Sequence, residues 1–98
     1  MTDLDSVHHN LKSQLEGLRN SIFGLQNDPK YMELFDEFLR EQEFGLALET
    51  LCDFLLEPRS ALASESLLEQ IENLHQLMNV MDSCVQDLRD KAAQSSAL

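Results

Sequence analysis

The apolar residues of this chain fall into stripes with helical spacing. Between Asp5 and Leu25 they are Val7, Leu11, Leu15, Leu18, Ile22 and Leu25, separated by steps of four or three. Such steps trace one face of an amphipathic helix. Asp3, Asp5 or Ser6 can cap its start, and Gly24 and Asn27 punctuate its end. Asp28-Pro29 then restarts the chain, because Asp is a good N-cap and Pro at the first helical position needs no amide hydrogen bond. A second helix is predicted over about 29–41. Met32, Leu34, Phe35, Phe38 and Leu39 form its apolar side, opposite Glu33, Asp36, Glu37 and Arg40.

Glu43-Phe44-Gly45 opens a third segment. Phe44, Leu48, Leu51, Cys52 and Leu55 share a face that Ala47 and Phe54 widen. A helix apolar over so much of its circumference is central in a small bundle or carries a second apolar surface. Pro58 ends it. A loop follows, and then Ser64 with Glu65, or Ser66 with Glu69 as a capping box, starts the last helix. That helix is predicted over about 65–91, with Leu67, Leu68, Ile71, Leu74, Met78, Met81, Val85 and Leu88 in its stripe. The ends, about 1–4 and 92–98, lack a stripe and are expected to fray. No strand-length alternation, hairpin signal or internal repeat interrupts this pattern. The expectation is an all-α fold, a small antiparallel four-helix bundle forming one domain over 1–98.

Composition agrees with helices: there are only three Gly and two Pro in 98 residues. A chain this short buries about 65% of its unfolded surface, enough for one modest core without a deep cleft. Charge changes the picture more. The net charge is −11, which repels nucleic-acid phosphates, and the seven basic residues form no stripe. Between Asp28 and Glu57 nine acidic residues face only Lys30 and Arg40, a net of −7. An acidity this local suits a basic protein partner. Tyr31, Phe35, Phe38, Phe44 and Phe54 lie in the same stretch; most read as core, but an aromatic beside acids is also the make-up of an interface anchor. Glu49, Asp53 and Glu57 stand at i, i+4 and i+8, a mildly unfavourable like-charge ridge.

Candidate chemistry is thin. Glu72 and His75 have the i, i+3 spacing of a di-iron ligand pair, but that site needs a second pair and two further inward Glu. His75 therefore reads as a flank residue beside a solvated Glu. His8 and His9 point about 100° apart on a helix and chelate one ion poorly. Cys52 or Cys84 could be drawn with His75 as a dyad, yet both sit in apolar stripes where a thiol is inert. The pair reads as two buried free thiols in a reducing cytoplasm. No phosphate-cradling loop is present. The N-terminal run has no basic segment followed by an apolar stretch, so no signal peptide is expected, and no apolar run is long enough to span a bilayer. The expectation is a cytoplasmic binding protein: no enzyme, no cofactor, no metal, no nucleic acid and no membrane.

The segment Glu43–Glu57 resembles the central motif of Maf-type immunity proteins of bacterial polymorphic toxin systems. It carries Glu43-Phe44-Gly45, then Ala47-Leu48-Glu49, Leu51-Cys52-Asp53 and Leu56-Glu57. The helix before it and the Ser64-Glu65 helix start are also similar, and the match covers about a third of the chain. The resemblance implies a cytoplasmic antitoxin that binds and neutralises a cognate toxin domain, often a nuclease. On this reading Gly45, Leu48, Leu51 and Cys52 serve the fold, and Glu43, Glu49, Asp53 and Glu57 make contact. Asp36 and Glu37 of the second helix join them as candidate partner-binding residues. The alternative is a small acidic secretion chaperone or adaptor, often a dimer; the sequence leaves monomer and dimer both open.

Overall fold

The computed structural model describes residues 3–24, 28–58, 60–80 and 82–96, with side chains between 9 and 94. It contains five helices in this order: α1 (Asp3–Phe23), α2 (Pro29–Arg40), α3 (Phe44–Leu56), α4 (Glu65–Met78) and α5 (Cys84–Ser96). Among the described residues there is no strand. The molecule is a small helical bundle, but one with five helices in place of the expected four.

The extra helix arises because the stretch expected as one helix over 65–91 is broken at 79–83. Asn79 adopts the left-handed region, with φ 55°. Its N–H donates to the Gln76 carbonyl, and the Val80 N–H reaches back to His75 at 2.9 Å. These crossed bonds satisfy the last carbonyls of α4, and Asn enters this conformation more easily than most residues. The chain restarts on Asp82, whose carboxylate accepts from the Cys84 N–H at 3.0 Å. Ser83 Oγ donates to Asp87 Oδ2 at 2.8 Å.

The junction between α2 and α3 closes in the same way. Gln42 has φ 61°, its N–H donates to Leu39, and the Glu43 N–H reaches Phe38 at 2.8 Å. Asp28 and Ser64 act as the expected N-caps, accepting from Lys30 N–H and Leu67 N–H. At the end of α1, a Cβ on Gly24 would lie 2.6 Å from the Asn20 carbonyl oxygen, so only glycine fits there. The start of α1 comes earlier than expected, at Asp3. The expected caps Asp3, Asp5 and Ser6, the apolar Val7, and His8 fall on side chains outside those described, as do Leu25, Asn27 and Met81.

α3 is the central element. It packs against α1, α2 and α5, and Phe44, Ala47, Leu48, Thr50, Leu51, Cys52, Phe54 and Leu55 are buried in it. Leu11, Leu15, Leu18 and Ile22 of α1 meet this helix, with Phe35, Leu39, Leu68, Ile71, Leu74 and Leu88 completing the core. Phe23 packs tilted against Phe54 and Tyr31 meets it edge-on, at 4.9 and 5.4 Å between ring centroids. Leu34 departs from its expected apolar side and is exposed. α5 continues through Ser96, beyond the end of its stripe. Lys91 anchors it: Nζ donates to the carbonyls of Leu55, Glu57 and Ser60 at 2.7–2.9 Å. A cation thus caps the C-terminal end of α3, where the helix dipole favours it. Partial burial lowers the Lys91 pKa, and nearby Glu57 opposes that shift. The bundle measures 53 × 26 × 18 Å.

Candidate functional site

Helices α2 and α3 and their ends present the acidic segment, and the six candidate carboxylates divide into two groups. Glu37, Glu43, Glu49 and Asp53 are exposed. Asp36 and Glu57 are committed within the molecule. Asp36 accepts two hydrogen bonds from Arg19, Nε to Oδ1 at 2.7 Å and Nη2 to Oδ2 at 2.9 Å, joining α2 to α1. Glu57 accepts from the Tyr31 hydroxyl at 2.6 Å. That bond holds the phenol in its neutral form, and with partial burial and the charges of Glu57, Asp53 and Asp28 it pushes the Tyr31 pKa up to about 12.

The apolar companions of the exposed acids are leucines, not aromatics. Phe35, Phe44 and Phe54 are buried, and Tyr31 and Phe38 are half-buried. Leu46 is 43% exposed and shares a helical face with Glu49 and Asp53, three and seven residues on. Leu34 is exposed on α2 beside Glu37.

Asp53 leads from this face into a second feature. It lines a groove with Glu49, Cys52, Asp82, Cys84 and Asp87. Partial burial first, then the charges of Asp82 and Glu57, push its carboxyl above the ordinary carboxylate range. At the floor of the groove Cys52 and Cys84 form a disulfide, with Cα atoms 6.1 Å apart, and no described cysteine is free. The expectation of two free thiols is therefore corrected. Periodicity placed each cysteine in the core, but the break at 79–83 aims α5 so that the two stripes converge.

His75 is corrected as well. It is buried, 8% exposed, rather than a solvated flank residue. Its position, four residues after Ile71, puts it on the core stripe; only its polarity suggested otherwise. Nδ1 lies 2.9 Å from the Ile71 carbonyl oxygen, and a carbonyl only accepts, so Nδ1 carries the proton. Nε2 faces Asp82 Oδ1 at 3.0 Å, yet the approach is out of line and Nε2 has no hydrogen-bond partner. Cys52 Sγ, Cys84 Sγ and a His75 ring nitrogen all lie within 4.8 Å of one another. Glu72, the other half of the i, i+3 pair, is exposed and does not belong to this cluster.

Among the described residues no helix is long and apolar enough to cross a membrane. No family model, no curated protein and no solved structure matches this chain.

Proposed function

We propose that this chain acts by binding another protein, not by catalysis, and that it does so in the antitoxin sense implied by the Glu43–Glu57 resemblance. The exposed acids Glu37, Glu43, Glu49 and Asp53, with Leu46 as an apolar contact, would cover the basic substrate-binding surface of a toxin domain in the cytoplasm. A nuclease is the natural target, since its phosphate-binding surface is basic. The observation that supports this reading is the division among the six carboxylates. Two hold the fold together, while four stand free of that work on one continuous stretch of α2 and α3.

Charge reversal tests it. Glu49→Lys and Asp53→Lys are made together, and capture of a basic partner from the native host is compared with wild type at low and high salt. Rim charges act mainly on association rate and its salt dependence. The double variant should lose at least about tenfold in affinity at low salt, with the difference shrinking as salt rises. Retention within twofold at low salt would mean that another surface makes the contact.

A further inference from the structure

We propose that Cys52, Cys84, His75 and Asp82 form a site for a soft divalent cation of the zinc type, which opens when the Cys52–Cys84 disulfide is reduced. The proposal is independent of the binding reading, since it concerns four residues beneath the acidic face.

The ligand set comes first. Two sulfurs and one imidazole nitrogen lie within 4.8 Å of one another, and Asp82 Oδ1 is 3.0 Å from His75 Nε2. Donor atoms on a tetrahedral zinc, at bond lengths of about 2.0–2.3 Å, stand about 3.3–3.8 Å apart. These three donors need only local adjustment to take an ion; Asp82, close to His75 but outside the mutually close set, swings inward to become the fourth. Two thiolates, an imidazole and a carboxylate favour zinc over calcium or magnesium.

The second observation is independent of spacing. Nε2 of His75 is buried and without a hydrogen-bond partner, which is costly for a polar atom. With the proton on Nδ1, the Nε2 lone pair is left without a donor, and Asp82 Oδ1, 3.0 Å away but out of line, gives it none. The bond from Nδ1–H to the Ile71 carbonyl is the outer contact that orients a metal-binding imidazole. Asp82 is held in turn by the Cys84 N–H. Glu49, Asp53 and Asp87 line the groove above the sulfurs, and their charge raises the local concentration of cations.

The chemistry balances. A dithiol reductant supplies two electrons and two protons to the sulfur–sulfur bond and leaves as its own disulfide, so Cys52 and Cys84 become thiols. The incoming M²⁺ displaces both thiol protons to solvent and forms two metal–thiolate bonds, without changing its oxidation state. The disulfide and the metal site are therefore alternatives for the same two sulfurs.

The test uses the full chain and Co²⁺ as a spectroscopic probe under inert gas. After reduction with a phosphine, one equivalent should give tetrahedral d–d bands and a thiolate-to-cobalt charge-transfer band. Zn²⁺ should then bleach both and raise the melting temperature, and the oxidised protein should show neither effect. His75→Gln should weaken Co²⁺ binding more than the about 10–100-fold typical of losing an outer-shell contact. Cys84→Ser should weaken binding and cut the charge-transfer intensity per bound Co²⁺ to about half, since one thiolate is lost, and the double Cys52→Ser, Cys84→Ser variant should abolish the band. Glu69→Gln, on the exposed side of α4, should leave binding unchanged. His75→Gln keeps both cysteines and its helicity is checked by circular dichroism, so the result does not depend on the fate of a cysteine variant. Co²⁺ bound with no charge-transfer band, equal binding by oxidised and reduced protein, or full affinity in His75→Gln would each overturn the assignment.

Discussion

The two helix junctions, at 41–43 and 79–83, close with the same backbone pattern but are braced by different means. In each, a residue other than glycine takes the left-handed conformation and the next N–H reaches back five residues. They also lie near one another: a Cβ on Gly45 would touch Val80 Cγ2 at 4.0 Å. The α2–α3 junction is braced by side chains: Tyr31 of α2 reaches Glu57 at the end of α3, and Arg19 of α1 holds α2 through Asp36. Beyond the α4–α5 junction the bracing of α5 is covalent, to α3 through Cys52–Cys84, with Arg89 pairing back to Glu65 of α4; His75 precedes the turn and Asp82 lies within it. The contrast teaches that the turn sets only the direction of the next helix. What holds the following helix in place is chemistry several residues away, and after the second junction that chemistry includes a redox-sensitive bond to α3.

The comparison breaks most severely at the covalent brace. Replacing Cys52 and Cys84 together by Ser, in oxidising buffer with a chelator present, should cost about 2–4 kcal/mol, because a link across a separation of 32 residues restricts the unfolded chain. Urea unfolding checks this; equal midpoints for wild type and the variant would show that packing and the Lys91 contacts hold α5 on α3 without the disulfide.

The turns themselves give a smaller effect. Gln42 carries a steric strain that Asn79 largely avoids, since Asn tolerates the left-handed region. Gln42→Gly should therefore stabilise the chain by about 0.5–1 kcal/mol, and Asn79→Gly by only a few tenths. Equal gains at both positions would remove the distinction drawn between them.

The gentlest probe is alkali. Tyr31 is the single tyrosine of the chain, so the ultraviolet absorbance of tyrosinate reports on it alone. Its ionisation should centre near pH 12. A folded pKa above the unfolded value favours the native state below pH 10, and that contribution is lost as pH rises from about 10 through 12. Glu57→Gln removes the charged acceptor and should move the midpoint back towards 10. An unshifted midpoint in Glu57→Gln would mean that the bond to Tyr31 does not brace the first junction.

The same contrast explains what could be read in the sequence. The first junction was legible because Glu43-Phe44-Gly45 interrupts one stripe and opens another. At the second, Leu74, Met78, Met81, Val85 and Leu88 keep steps of three and four straight through the break. A stripe that stays in phase hides a turn. Asn79 followed by Asp82-Ser83 was the available signal, a left-handed residue and then a cap. The acidic face was legible because exposed charge follows from helical periodicity, although Asp36 and Glu57 could not be told apart from their neighbours before their partners were seen. The cysteine–histidine cluster was not legible. Periodicity says that a residue points inward; it does not say which inward residues of other helices it meets, and that depended on the hidden turn.

Lys91 has a consequence for how this chain comes off the ribosome. The carbonyls at the end of α3 find their cation some thirty residues later, and Cys52 finds Cys84 at a similar delay. While α3 is being synthesised, neither exists. The central helix therefore leaves the exit tunnel with its C-terminal end uncapped and part of its apolar surface uncovered. It becomes a finished structural element only once α5 has been made and can cover it.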